Sequence, residues 1–489
     1  MNLLTGIKNN NTIINTKGSK YYRTSYSSNL DVFTMLTRFT DEDMIIKLFN
    51  KALLEDEDLA LANLLYILDI RNGKGERRLF KIIYKNLCLN YPNLALKILT
   101  YIKELGRFDY ILIGIDTPIE KDVIKLIKEQ LDLDIKSETP SLLAKWLPSH
   151  RMHGVNNLLA KKLIKLLNMS EKDYRLLLST LRSKINIVEK NLTNKDYDKI
   201  EFNHVPAKAM LKYNEVFNRN MSDKFSDYKE SLSKGEEKIN TTGLFSYEII
   251  KKILNDRECD HELYNLMWNN QKDILENDDT NLLVVADTSG SMTYYNSIPL
   301  YTSIGLSLYI AERNKGFFKN HFITFSEDPV LQEIKGKNLV EKVYNMETIN
   351  ALNTDIDKVF ELILNVAKEN KLKQKDLPSK ILIISDMEFD QGVYSSNGTN
   401  FHGWKKIFQE EGYKLPTIIF WNVSGYTKGI PITKFENDVS MVSGFSTNIL
   451  TNLLTLDKYS PIDVMLEKLE KYKEMLNWQK INFVIYSTC

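Results

Sequence analysis

The sequence predicts two kinds of fold in one chain, an all-α array followed by a doubly wound, mainly parallel α/β domain. Three observations carry this expectation. Apolar residues recur at helical spacing from about Asp31 to Asn277, and short, wholly apolar strands alternate with helices after Asp278. At 489 residues, the chain also exceeds what one hydrophobic core usually serves. The composition, 43% hydrophobic and 26% charged, is that of a globular protein and excludes wholesale disorder.

Residues 1–30 are polar, without a sustained period, and read as an irregular lead-in. Residues 31–277 follow as a helical domain. In DEDMIIKLFNKALLEDEDLALANLLYILDI and LALKILTYIKEL, apolar residues return every three or four positions, and glycine and proline are sparse. No clean repeat period emerges, so the expectation is an array of imperfect HEAT-like helical hairpins. Gly73-Lys74-Gly75 lacks the spacing of a phosphate loop and reads as a connector.

Residues 278–489 form the α/β domain. NLLVVAD, HFITFS, KILIISD and TIIFWNV read as strands. Between them lie helices in SIPLYTSIGLSLYIAERN, DIDKVFELILNVAKEN and WKKIFQEEG. Strands apolar at every position belong to a parallel sheet covered on both faces. VSMVSG adds an edge strand, and NILTNLLTL and PIDVMLEKLEKYKEML add helices, while INFVIYSTC has no clear assignment.

No apolar run approaches the roughly 18 to 20 residues that span a bilayer, and the polar start MNLLTGIKNNNTIINTKGSK lacks the apolar core of a signal peptide. The expectation is a cytoplasmic protein with no membrane partner. Cys88, Cys259 and Cys489 are far apart and lack CxxC spacing, so neither a disulfide framework nor a zinc site is indicated.

In an open parallel sheet, ligands bind beyond the carboxyl ends of the strands. Three loops there carry suitable oxygens: Asp287-Thr288-Ser289-Gly290-Ser291, Thr354-Asp355, and Asp386 after KILIIS. Hydroxyl and carboxylate oxygens are hard donors suited to Mg²⁺ or Mn²⁺, and need no His or Cys. A plainer use of Asp-x-Ser-x-Ser is to cap a helix after a strand, and Glu388 reads as an exposed acid in a loop. The order Asp-x-Ser-x-Ser, distant Thr, later Asp resembles the metal-ion-dependent adhesion site of von Willebrand A domains. By that resemblance Ser289, Ser291 and Thr354 contribute hydroxyls, while Asp287 and Asp386 act directly or through water.

The net charge of +1 conceals a division. The first 275 residues carry 43 Lys and Arg against 37 Asp and Glu, and the remainder 22 against 27. Imbalances this small name no partner, but two local clusters stand out. The first is Arg71, Lys74, Arg77, Arg78, Lys81 and Lys85, in which Arg77, Lys81 and Lys85 share a helical face. The second runs from Lys145 to Lys190 and includes Arg151, Lys161, Lys162, Lys165, Lys172, Arg175, Arg182 and Lys184. Both suit phosphates, although such stripes often only solvate amphipathic helices. His150 and His153 beside them read as surface residues.

DIRNGKGERRLF, SLLAKWLPSH, LRSKINIVE, VPAKAMLKYNEVF and FSDYKESLSKGEEKINTTGLFSYEII resemble a domain-of-unknown-function family in which this helical half precedes a von Willebrand A domain. That family is similar in architecture to the Ro (TROVE) proteins, whose helical ring holds RNA. The resemblance implies a non-catalytic, RNA-binding scaffold for single-stranded or small structured RNA, with an A domain that docks an acidic ligand. An alternative is a metal-dependent adaptor whose protein partner supplies a carboxylate. A metal-assisted hydrolase stands third, since no G-x-S-x-G, H-E-x-x-H or Walker loop is present.

Overall fold

The computed structural model describes residues 11 to 487 except 16, 151–153, 186, 257, 259, 277–279, 326–328, 348–353, 391–399, 426–428, 452 and 455–459. Arg151, His153, Cys259 and Cys489, and the expected boundary at Asp278, lie outside the described residues.

Regular structure begins within the expected lead-in. Strands β1 (Thr12–Ile14) and β2 (Lys20–Tyr22) form an antiparallel hairpin, and a helix spans Ser28–Met35, capped by the Ser27 side chain. Strands of three residues are too short for an alternating pattern to register in sequence. Tyr22 and Ile430 exchange backbone hydrogen bonds of 2.8 and 2.9 Å, which ties this hairpin to the far end of the chain.

Helices then follow one another to His261–Asn269. The helix Glu57–Leu68 is central, and every residue from Leu59 to Leu68 is buried. Such all-round burial fits LALANLLYIL, which has no polar face to offer water. The long helix Pro461–Ser487 returns to pack against it, and Tyr472 Oη donates to Asp69 Oδ2 at 3.0 Å. It therefore completes the helical half as well as the chain's end, and it runs through the INFVIYS segment that the sequence left unassigned.

Six strands form the sheet: β3 (Leu282–Ala286), β4 (His321–Thr324), β5 (Leu331–Glu333), β6 (Lys380–Ser385), β7 (Thr417–Asn422) and β8 (Val439–Ser443). Their order is β5-β4-β3-β6-β7-β8, parallel throughout except for β5, which pairs antiparallel with β4. The chain moves from β3 outward to one side and returns at β6 to fill the other. The carboxyl ends of β3 and β6 are therefore a topological switch point.

Alternate residues of these strands enter different cores. Leu282, Val284, Leu382, Ile384, Ile419 and Trp421 face one side, and Leu283, Val285, Ile381, Ile383, Ile418 and Phe420 the other. The second core is closed by the helices Ile356–Glu369 and Asn400–Glu410, linked by a 2.7 Å hydrogen bond from Trp404 Nε1 to Asp357 Oδ1. The first is continuous with the core of the helical half. At that junction the helices Ser246–Asn255 and Ile298–Arg313 pack closely at Gly305, where an added Cβ would lie 3.2 Å from the backbone of Ser246 and Tyr247. Of the expected helix in NILTNLLTL, the described residues form a single turn, Thr447–Leu450.

Candidate metal site and basic surfaces

β3 delivers Asp287 into a fully buried position. Its Oδ2 accepts from Ser385 Oγ at 2.6 Å and its Oδ1 from the Ser289 N–H at 2.9 Å. Ser289 and Ser291 hydroxyls lie 3.1 Å apart. On neighbouring β6 the chain continues into Asp386, also buried, whose Oδ1 accepts from the Glu388 N–H at 3.0 Å. Burial, reinforced by the Asp386 charge, pushes the Asp287 carboxyl up to about 6.

Thr354 joins through the same loop. It is fully buried and its Oγ1 donates to the Glu388 carbonyl at 2.9 Å, so Thr354, Glu388 and Asp386 form one hydrogen-bonded run. Asp355, beside it, caps the helix Ile356–Glu369 through the N–H groups of Asp357 and Lys358. Glu388 is a correction to the sequence reading, for it is 6% exposed. Both its N–H and its C=O are bound within the site, which draws the loop inward.

Three participants were not singled out in the sequence. Ser385, the last residue of β6, orients Asp287. Asp390 accepts from the Thr354 N–H at 2.8 Å. Lys17, from the β1–β2 turn, places its ammonium against Thr354 Oγ1 and 3.6 Å from Asp390 Oδ1. Tyr21 Oη donates to the Met387 carbonyl, and Asn15 Nδ2 to that of Phe389, so the hairpin is pinned along this loop. Ser385 was visible only as a strand residue, and Lys17 stands 337 positions from Thr354, beyond any local pattern.

The donor types fit a hard cation: two carboxylates and three hydroxyls stand in the loops after β3, after β6 and before the helix Ile356–Glu369. Among the described residues no group of three or more His, Cys, Asp or Glu could hold a metal, so hydroxyl oxygens would have to complete the set. In this structure the Lys17 ammonium is the positive charge nearest Thr354 Oγ1, donating to the oxygen that a bound cation would use.

The basic candidates divide. Lys74 is a correction: it is 1% exposed, and its Nζ donates to the Phe33 carbonyl at 2.5 Å and to Ser443 Oγ at 2.8 Å. Burial pulls its ammonium down to about 7, and Glu76 is engaged by Arg38 at 2.7 Å. Gly73 explains the path into this position, since a Cβ there would lie 2.2 Å from the Tyr66 carbonyl oxygen. Lys162 pairs with Asp116 and, at 2.9 Å, with Glu120, which offsets its charge. Arg78 is exposed and binds the Thr40 carbonyl at 2.6 Å. Arg71, Arg77, Lys81, Lys85, Lys161 and Lys165 are exposed, with Lys81 3.9 Å from Asp109. His150 lies 3.0 Å from Glu171. No helix among the described residues is long and apolar enough to cross a membrane.

Residues 118–288 match the family model described as Domain of unknown function (DUF2828), and residues 281–482 that described as Domain of unknown function (DUF7788). The two meet at β3, close to the junction of helical array and sheet. The chain is also 30% identical, over 502 aligned residues, to Uncharacterized protein L728 of Acanthamoeba polyphaga mimivirus, covering 93% of this chain and 86% of that one. With likeness extending along nearly both chains, the protein belongs to the same family as this mimivirus protein, and carries DUF2828 and DUF7788 segments in succession.

Proposed function

We propose that the chain is a non-catalytic binding scaffold, whose sheet-end site holds Mg²⁺ or Mn²⁺ for an acidic ligand and whose helical half binds RNA. The observation that carries this reading is the pair Asp287 and Asp386, enclosed together at adjacent strand ends with the Asp287 carboxyl raised to about 6. Two carboxylates kept from water repel one another, and a divalent cation relieves that cost. Asp287, Asp386, Ser289, Ser291 and Thr354 would hold the ion directly or through water. Bound there, it would supply an open position for a carboxylate or phosphate. Asp287 is enclosed and commits both oxygens to Ser385 and Ser289, which suits holding a cation better than relaying a substrate's proton.

In this reading the α/β part is a von Willebrand A-type domain and the helical part a HEAT- or TROVE-like array, working in the cytoplasm. The parallel sheet with its switch-point site supports the first half of that statement. Exposed Arg77, Lys81, Lys85, Lys161 and Lys165 support the RNA half. A protein that supplies the docking carboxylate would make the chain an adaptor as well.

Titration calorimetry with Mn²⁺ tests the site. Wild type should bind and Asp287→Ala should not, with unchanged circular dichroism. Lys17→Ala should bind roughly fivefold tighter, equivalent to about 1 kcal/mol for losing a competing, partly exposed ammonium. Binding that ignores Asp287→Ala would sink the metal reading. For RNA, neutralising about six phosphates predicts a slope near −4 to −5 of log K against log salt. Salt-insensitive retention would remove the RNA half.

A further inference from the structure

A cleft of about 350 Å³ opens between the helix Glu171–Lys184, the start of Val188–Asn194 and the segment after Leu143–Trp146. Its volume lies in the range of small-ligand sites. Arg175, Arg182 and Lys190 line it, together with the hydroxyls of Ser149 and Ser179. Arg175, Ser179 and Arg182 stand four and three positions apart, and so share one helical face.

Arg182 is the anchor. Its Nε donates to the Ala144 carbonyl at 2.8 Å, Nη2 to that of Leu147 at 2.7 Å and Nη1 to Ser149 Oγ at 2.7 Å. All three partners are neutral, so the guanidinium is held rigidly while its charge is left uncompensated. Among the described residues no carboxylate forms an ion pair with Arg175, Arg182 or Lys190. Glu171 lies 3.0 Å from His150, at the rim of the same cleft, and Glu189 3.7 Å from Lys145. Three cations around one concave space, one of them fixed in advance, form a receptor for a compact group carrying more than one negative charge. A terminal phosphate monoester carries −1.5 to −2 near neutral pH, against −1 for an internal diester, and the guanidinium fork matches its oxygens. The buried Tyr174 and Leu178 beside these cations give an apolar wall for the remainder of the ligand.

We infer that this cleft binds the terminal phosphate monoester of a nucleotide, and so reads RNA ends or takes a free mononucleotide. The inference deepens the RNA reading above and, in its RNA form, rests on it.

Fluorescence anisotropy on the full chain tests it with an eight-nucleotide RNA bearing a 5′-phosphate, a 3′-phosphate or neither, and, in separate titrations, with uridine monophosphate carrying its fluorescent label on the base. The variant is Arg175→Ala/Lys190→Ala, which leaves the structural bonds of Arg182 intact. One phosphorylated end should bind at least tenfold tighter than the unphosphorylated RNA, and the double variant should erase that difference. RNA binding that ignores both the terminal phosphate and the variant overturns the cleft and leaves the RNA reading standing. Variant-sensitive binding of the mononucleotide without RNA binding supports the cleft and removes the RNA reading. If neither probe binds, both fall.

Discussion

Lys74 carries a consequence of its own. An unfolded lysine titrates near 10.5, while burial brings this one to about 7. Below pH 7 both states are charged, and the group gives stability no pH dependence. Between about 7 and 10.5 the unfolded chain binds more protons than the folded one, so stability rises with pH across that window. The full span corresponds to roughly 4–5 kcal/mol. Lys74→Met keeps the volume and removes the charge, and Ser443 Oγ retains the Phe33 and Leu36 carbonyls at 3.0 and 3.1 Å. The variant should therefore be more stable than wild type at pH 6.5, and the gap should narrow by pH 9.5. Urea midpoints at the two pH values measure this, and a constant gap would refute it. Sequence shows that position 74 is charged but not that the chain folds over it, so spacing alone groups it with the exposed cations around it.

At the scale of elements, Gly305 sets how closely two helices approach. Glycine inside a helix costs about 1 kcal/mol relative to alanine. At Gly305 an alanine Cβ would meet the Ser246 and Tyr247 backbone and Ile250 Cγ1 at 3.2 Å, and backbone yields little. Gly305→Ala should accordingly be close to neutral, since helix propensity gained is offset by crowding. Gly305→Leu should destabilise by about 1–3 kcal/mol or more, because its extra carbons have no space between the helices. Denaturant titration of both variants separates these outcomes, and a harmless leucine would show that the crossing opens freely. The elements most legible in sequence were those with a long period. β3 and β6 are apolar at nearly every position, and Asp287 and Asp386 follow them directly, so their shared strand-end placement could be read from the chain. The largely exposed β5 and the hairpin holding Lys17 have three residues per strand, which is too few for a pattern.

At the scale of the molecule, the first of the two cores is shared by both parts. Helix Pro461–Ser487 sends Val464, Met465, Leu469, Tyr472 and Leu476 into the core that also contains Leu61 and Leu65 of Glu57–Leu68. The same core reaches Val284 and Ile384 of the sheet. No periodicity could reveal this, because it depends on which faces of distant elements meet after folding. Two domains with separate cores would unfold independently, whereas loss of either part here uncovers apolar surface on the other. The intact chain should unfold in one calorimetric transition, and Leu469→Ala should lower that transition as a whole by about 2–5 kcal/mol of stability. A second transition, or a Leu469→Ala effect confined to part of the heat absorption, would show that sheet and helices are energetically separate. On the shared-core account, a fragment of residues 281–482 alone should expose the faces of Ile298–Arg313 and Pro461–Ser487 that pack on Ser246–Asn255 and Glu57–Leu68, and should bind a hydrophobic dye that the whole chain does not.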